Sequence, residues 1–268
     1  MPARIARFGL WLALALLFTA CAETPQVTRT PLTLRLAEAA DQAAVLDRVA
    51  THYSADHTWV SISTTSTTPA DAIARVRSGQ LDAAILHTEP PAKDGVWVSG
   101  LAHDPIAIIV HPTNPIGNVT LDQLSDLFQG RTFDWSPFGG SGEVIPVSRE
   151  AEAYSRQIFE ERVMQTRAVT RNAVLKASAK DVLDFVANTP GAIGYIPLSD
   201  LDDRVKAVAI EGTTPSAEAA ASGKYVIATP LYVIAKSEPQ GDVREFMVWL
   251  LGNPGQTLLS QLGLGRAR

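Results

Sequence analysis

Arg149 closes the stretch I-P-V-S-R, a short apolar run that reads as a strand ending on a charge. A guanidinium at a strand end can grip an oxyanion with two parallel hydrogen bonds, which makes Arg149 the first candidate ligand contact. The same residue also suits a surface arginine paired with Glu150 or Glu152. Ser66, Thr67 and Thr68 sit in the hydroxyl-rich run S-T-T-S-T-T and offer further donors; the alternative is a solvated turn feeding a helix that starts at Pro69. His87, in L-H-T-E, adds a pH-sensitive donor. His87 with Glu89, and His103 with Asp104, are the only pairings that suggest a metal. With no helical i,i+4 pair and no thiolate near, no metal site is expected.

Catalytic arrangements are missing. G-G-S-G-E at 139–143 is a flexible turn rather than a nucleophile elbow. There is no H-E-x-x-H, no P-loop and no dinucleotide fingerprint, so neither an enzyme nor a bound cofactor is expected.

The elements that must position these residues alternate. Strand patterns at 32–36, 59–62, 81–86, 96–101, 106–110, 145–149, 205–210 and 225–235 are interleaved with amphipathic helices at 40–53, 69–78, 121–129, 154–164 and 181–187, with two more after residue 241. Thr120 and Gln123 have the spacing of a capping box, and Gly130 stands at the stop. Alternation of this kind predicts an α/β fold with mainly parallel sheets and flanking helices. The runs near 106–115 and 225–235 read as two crossing strands that act as a hinge. They divide the chain into one lobe of 32–108 with 230–268 and an inserted lobe of 109–229. Ligands of such folds lie in the cleft at loops beyond the carboxyl ends of strands. Residues 37–42, 63–68, 86–89 and 147–155 are expected there.

One long ordered segment carries a family likeness. H-P-T-N-P-I, then T-L-D-Q-L-S-D-L-F-Q-G-R-T-F-D-W, then I-P-V-S-R-E, and later P-G-A-I-G-Y closely resemble the phosphate-type periplasmic binding proteins, the solute receptors of phosphate ABC transporters. The resemblance implies a two-lobed type II periplasmic-binding-protein fold over nearly all of the mature chain. It places Arg149 at the family's ligand-binding arginine and Ser155 at the threonine of its Ser-Gly-Thr loop. Around them the chain departs from the family. Ser-Gly-Thr is Ala153, Tyr154 and Ser155; the first loop carries Glu38, Ala39, Ala40 and Asp41; Thr68, Pro69 and Ala70 replace a Gly-Ser-Gly; and His87 replaces an aspartate. The function implied is uptake of phosphate or a related small anion by cleft closure, with a membrane permease as partner and the receptor itself a monomer. Recognition of a different solute, or service as an extracytoplasmic sensor or interaction module, stays open beside it.

The first residues predict where this happens. Arg4 and Arg7 precede an apolar run from Phe8 to Phe18 that ends L-F-T-A-C, and Cys21 is the only cysteine in 268 residues. Residues 1–20 resemble a bacterial lipoprotein signal peptide, with Cys21 the lipidated residue, residues 21–31 a tether, and the fold held on the outer side of the membrane. Phe18 stands where that pattern prefers leucine. An ordinary secretory signal with an incidental cysteine is the alternative. Loss of Arg4 and Arg7 with the signal takes the net charge from −5 to about −7. Nucleic acid is therefore a poor partner, and an anionic ligand must be held by local groups against the global field.

Overall fold

Ile106, Ala107, Ile108, Ile109 and Val110 are completely buried, and the strand that contains them runs through the centre of the molecule. The computed structural model describes residues 29–38 and 43–267. In chain order the elements are β1 (Leu32–Glu38), α1 (Ala43–Asp56), β2 (Val60–Ser66), α2 (Pro69–Ser78), β3 (Ala83–Leu86), β4 (Trp97–Val110), β5 (Asn118–Val119), α3 (Leu121–Gln129) and β6 (Ile145–Arg149). Then come α4 (Tyr154–Phe159), β7 (Val174–Lys176), α5 (Ala179–Ala187), β8 (Ala192–Pro197), β9 (Lys206–Ile210), α6 (Ala217–Ala221), β10 (Ala228–Ala235), α7 (Gly241–Leu251), α8 (Asn253–Gln261) and β11 (Gly265–Arg266). The class is α/β.

The strands order as β2-β1-β3-β10-β4-β8-β6-β7. The sheet is mixed rather than mainly parallel, for a topological reason. Parallel pairs join β1 to β2 and β3, β6 to β7 and β8, and β5 to β9. Every antiparallel pair of these strands involves β4 or β10. Those two strands lie side by side in the middle of the sheet order, and β10 runs back along β4. The sequence pattern separates 96–101 from 106–110, yet β4 is one continuous strand, because His103 and Asp104 find partners that let the backbone carry on through them.

Buried apolar side chains gather on either side of this crossing. Two clusters draw on residues 34–102 and 231–264, including Leu34, Leu46, Tyr53, Leu101, Val233 and Phe246. Two others draw on 106–227, including Ile108, Leu124, Phe128, Trp135, Phe159 and Tyr195. At the crossing itself the Tyr225 hydroxyl donates to the Ile106 carbonyl at 2.9 Å, and the Ile106 N–H donates to Ile227 at 2.8 Å.

Local signals account for the helices. The Thr120 hydroxyl accepts from the Gln123 N–H, the Gln123 side chain accepts from the Thr120 N–H, and Gly130 turns left-handed at φ 75°. The 154–164 pattern splits, with α4 ending at Phe159 and a π-helical turn, Glu160–Met164, following it. No helix among the described residues is long and apolar enough to cross a membrane. The signal, Cys21 and most of the tether lie outside the described residues.

Candidate functional site

Arg149 ends β6, whose parallel neighbours β7 and β8 both stop nearby. It is only 2% exposed. Its N–H donates to the Tyr195 hydroxyl at 3.2 Å, and that hydroxyl also bonds Ser148 Oγ at 2.8 Å. The Tyr195 ring is in turn stacked on Phe159, centroids 4.2 Å apart. Burial pushes the Tyr195 phenol up from its ordinary value, which keeps the hydroxyl neutral and able to serve both partners. The guanidinium is oriented just as firmly. Nε donates to the Lys176 carbonyl at 3.2 Å, Nη2 to the Ala177 carbonyl at 3.0 Å, and Nη1 reaches Ser155 Oγ at 3.5 Å. Ser155, fully buried in the first turn of α4, thus lies beside Arg149.

A second group meets beside the first. The Tyr154 hydroxyl donates to Asp104 Oδ2 at 2.6 Å, and its ring lies flat on His87, centroids 3.7 Å apart and planes 18° apart. His87 Nε2 is 3.8 Å from the same carboxylate oxygen, and the His87 side chain is 9% exposed. Thr229 Oγ1 donates to the His87 carbonyl at 3.4 Å. Stripping a buried carboxylate of its partner costs roughly 3–5 kcal/mol, more than the burial of any one isoleucine of β4 contributes, so Asp104 depends on these neighbours. Glu38, at the end of β1 and paired there with Ser66, is 2% exposed. Burial, with the charge of Asp47 adding to it, drives its carboxyl up to about 9, although the Leu46 N–H works the other way. At neutral pH Glu38 is a neutral acid.

The hydroxyl-rich run is not the loop that the sequence suggests. β2 continues through Ser66, paired with Glu38 at the far end of β1, because the β-branched threonines of the run suit an edge strand. Ser66 is exposed. Thr67 donates to Asp71 Oδ2 at 2.6 Å, and Thr68 is the N-cap of α2, its hydroxyl accepting from the Asp71 N–H. Both threonines are engaged in starting a helix. Residues 39–42 of the first expected loop lie outside the described residues.

Three residues in this region carry roles that the sequence reading does not give them. Asp104 is one, and a lone carboxylate entering a wholly apolar run is the signal that could have found it. Tyr154 has no such signal, since its ring fits an apolar stripe equally well. Tyr195 acts only through the backbone of Arg149. No group of three or more His, Cys, Asp or Glu side chains able to hold a metal occurs among the described residues. Open surface pockets of about 410 Å³, near His103, Arg162 and Tyr225, and about 500 Å³, near Asn114, Trp135 and Gly140, lie elsewhere and include neither Arg149, Ser155 nor His87.

Comparison with known proteins bears on this geometry. The PBP superfamily domain matches residues 24–254. The phosphate-binding protein PstS of Bacillus subtilis is 30% identical over 165 residues, 59% of this chain and 55% of that one. PstS of Borreliella burgdorferi is 21% identical over 189 residues, 66% of this chain and 68% of that one. The chain thus spans about half the length of the Bacillus relative. Among solved structures, a Clostridium perfringens protein with bound phosphate superposes with TM-score 0.76 at 23% identity, over 88% of this chain and all of that one. An ABC-type phosphate transport receptor from Vibrio cholerae does so with TM-score 0.69 at 22% identity, over 87% and 99%. With the strand order and the match over most of its length, the chain belongs to the PBP superfamily.

Proposed function

We propose that this protein is an extracytoplasmic solute-binding protein that takes up a small oxyanion, phosphate or a close relative, and presents it to an ABC permease. The observation that carries the reading is Arg149, a buried guanidinium whose fork is held by two carbonyls at a strand end beside a buried hydroxyl. Preorganised, charge-assisted donors of this kind suit a tetrahedral oxyanion. That the relatives in Bacillus subtilis and Borreliella burgdorferi are phosphate-binding proteins supports phosphate as the first candidate. In this reading 32–108 with 230–268 forms one lobe and 109–229 the other, and β4 with β10 provides the hinge on which they close. Residues 1–20 direct export and Cys21 carries the lipid that tethers a monomeric receptor to the membrane. Replacing Cys21 by serine then releases the protein into the soluble fraction.

Arg149 is the principal contact, with Ser155, His87 and Ser66 as lesser donors. Thr67 and Thr68 contribute little, since Asp71 already engages both hydroxyls. The test is ligand-induced stabilisation across phosphate, sulfate, tungstate and small organic acids. A true ligand at a hundredfold its Kd adds about 2.7 kcal/mol to unfolding. Arg149→Ala should abolish that gain, and an unchanged gain removes the assignment.

One observation favours the other reading, a sensor or interaction module with a disused cleft. Asp104 and Tyr154 fill the region with the chain's own polar groups, and one of them is an acid. Silence of the wild-type chain across the whole panel decides for that module.

A further inference from the structure

Tyr154 touches parts of the chain that belong to different halves of the fold. Its own helix, α4, packs in the apolar cluster drawn from residues 106–227. His87, on which its ring lies at 3.7 Å, follows β3, whose side chains belong to the clusters of 34–102 and 231–264. Asp104, which accepts its hydroxyl at 2.6 Å, lies on β4 just before the completely buried run that passes between them. All three side chains are nine-tenths or more buried. β3 belongs to the sheet and α4 does not, and the ring of Tyr154 on His87 brings the two elements together.

We propose that Tyr154 is a closure latch, a side chain of the inserted half that locks onto the His87 ring of the other half and the hinge-strand carboxylate of Asp104. The inference rests on the two-lobed receptor reading above. A phenol donating to a carboxylate shielded from water is a strong, charge-assisted bond, and it can form only when the halves are together. The flat ring contact adds dispersion and apolar burial in that same closed arrangement. Opening the cleft breaks both and exposes Asp104 and His87 to water. The latch therefore biases the hinge toward the closed form before any ligand arrives. A receptor biased in that way loses less freedom on binding, and its apparent affinity rises by the factor through which the closed form is enriched.

The experiment uses the mature chain, with small-angle scattering for the ligand-free radius of gyration and calorimetry with inorganic phosphate for affinity. Tyr154→Phe keeps the ring on His87 and removes only the donor. The ligand-free radius should increase relative to wild type, and phosphate affinity should fall about tenfold to a hundredfold, the range expected for one hydrogen bond to a buried charge. Asp104→Asn keeps an acceptor without its charge and should fall between the two. An identical radius and affinity in Tyr154→Phe and wild type overturns the latch. Should Tyr154→Phe fail to fold, His87→Ala, altered on the other half, takes its place: expansion of the ligand-free chain supports the latch and an unchanged radius overturns it. A wild-type chain that does not bind phosphate removes phosphate from the receptor reading alone, and the scattering comparison still decides the latch.

Discussion

The N–H of Arg149 donates to the Tyr195 hydroxyl across 3.2 Å, so the candidate ligand arginine is fixed through its backbone by a side chain 46 residues away. Tyr195 belongs to β8, and its hydroxyl also holds Ser148. Tyr195→Phe keeps the stack on Phe159 and leaves a buried N–H and a buried hydroxyl without this partner. The expected cost is roughly 1–3 kcal/mol in urea unfolding. Anion-induced stabilisation should shrink in the same variant, because the guanidinium loses its anchor at Cα. A variant as stable as wild type with a full anion response would show the hydroxyl to be idle.

Glu38 gives stability a pH dependence with a definite sign. Its carboxyl titrates near 4.5 in the unfolded chain and near 9 in the folded one. Below 4.5 both states hold the proton and the contribution is fully present. From there up to about 9 the folded chain keeps a proton that the unfolded chain has shed, and stability falls by up to about 1.4 kcal/mol per pH unit. Glu38→Gln keeps a carbonyl for the Leu46 N–H and removes the titration. Its stability relative to wild type should rise steadily between pH 5 and pH 9. Parallel profiles for the two proteins would contradict this account.

Much of the fold was legible because its signals are local. The Thr120–Gln123 box, the Pro69 start of α2 and the unbroken apolar run at 106–110 each state their structure within a few residues. Arg149 and Ser155 could be brought together on resemblance. Glu38 was visible as an acid, yet its neutral state comes from burial and from Asp47, which no spacing rule reports. The role of Tyr154 depends on His87 and Asp104, 67 and 50 residues earlier in the chain. Distances of that kind are set by topology. The threonine run misled for a different reason: Ser and Thr serve an edge strand, a turn and a ligand loop equally well, and only the pairing with β1 chooses among them.

Thr68 separates capping from ligand binding. Its hydroxyl accepts the Asp71 N–H at 3.3 Å, as an N-cap does. Thr68→Ala should cost about 0.5–2 kcal/mol of stability and leave the size of the anion-induced gain unchanged. Loss of the gain without loss of stability would return Thr68 to the ligand shell.

Gly191 tests whether the Arg149 end of β6 depends on how the strand begins. The Gly191 carbonyl accepts the Trp135 indole N–H at 3.0 Å and the Ile145 N–H at 2.9 Å, so three segments converge where β6 starts beside β8. A Cβ at 191 would lie 2.4 Å from the Glu143 carbonyl oxygen. That neighbour is backbone, and it can yield only by shifting the chain that leads into β6. Gly191→Ala should therefore destabilise by about 1–3 kcal/mol, as overpacking against an unyielding neighbour does. Part of the shift should pass along the five residues of β6 to Arg149 and weaken anion-induced stabilisation as well. Urea unfolding with and without phosphate reads both effects. A variant within about 0.5 kcal/mol of wild type, the ordinary range for surface changes, would mean that the backbone at 143 gives way freely and that β6 is not set from this end.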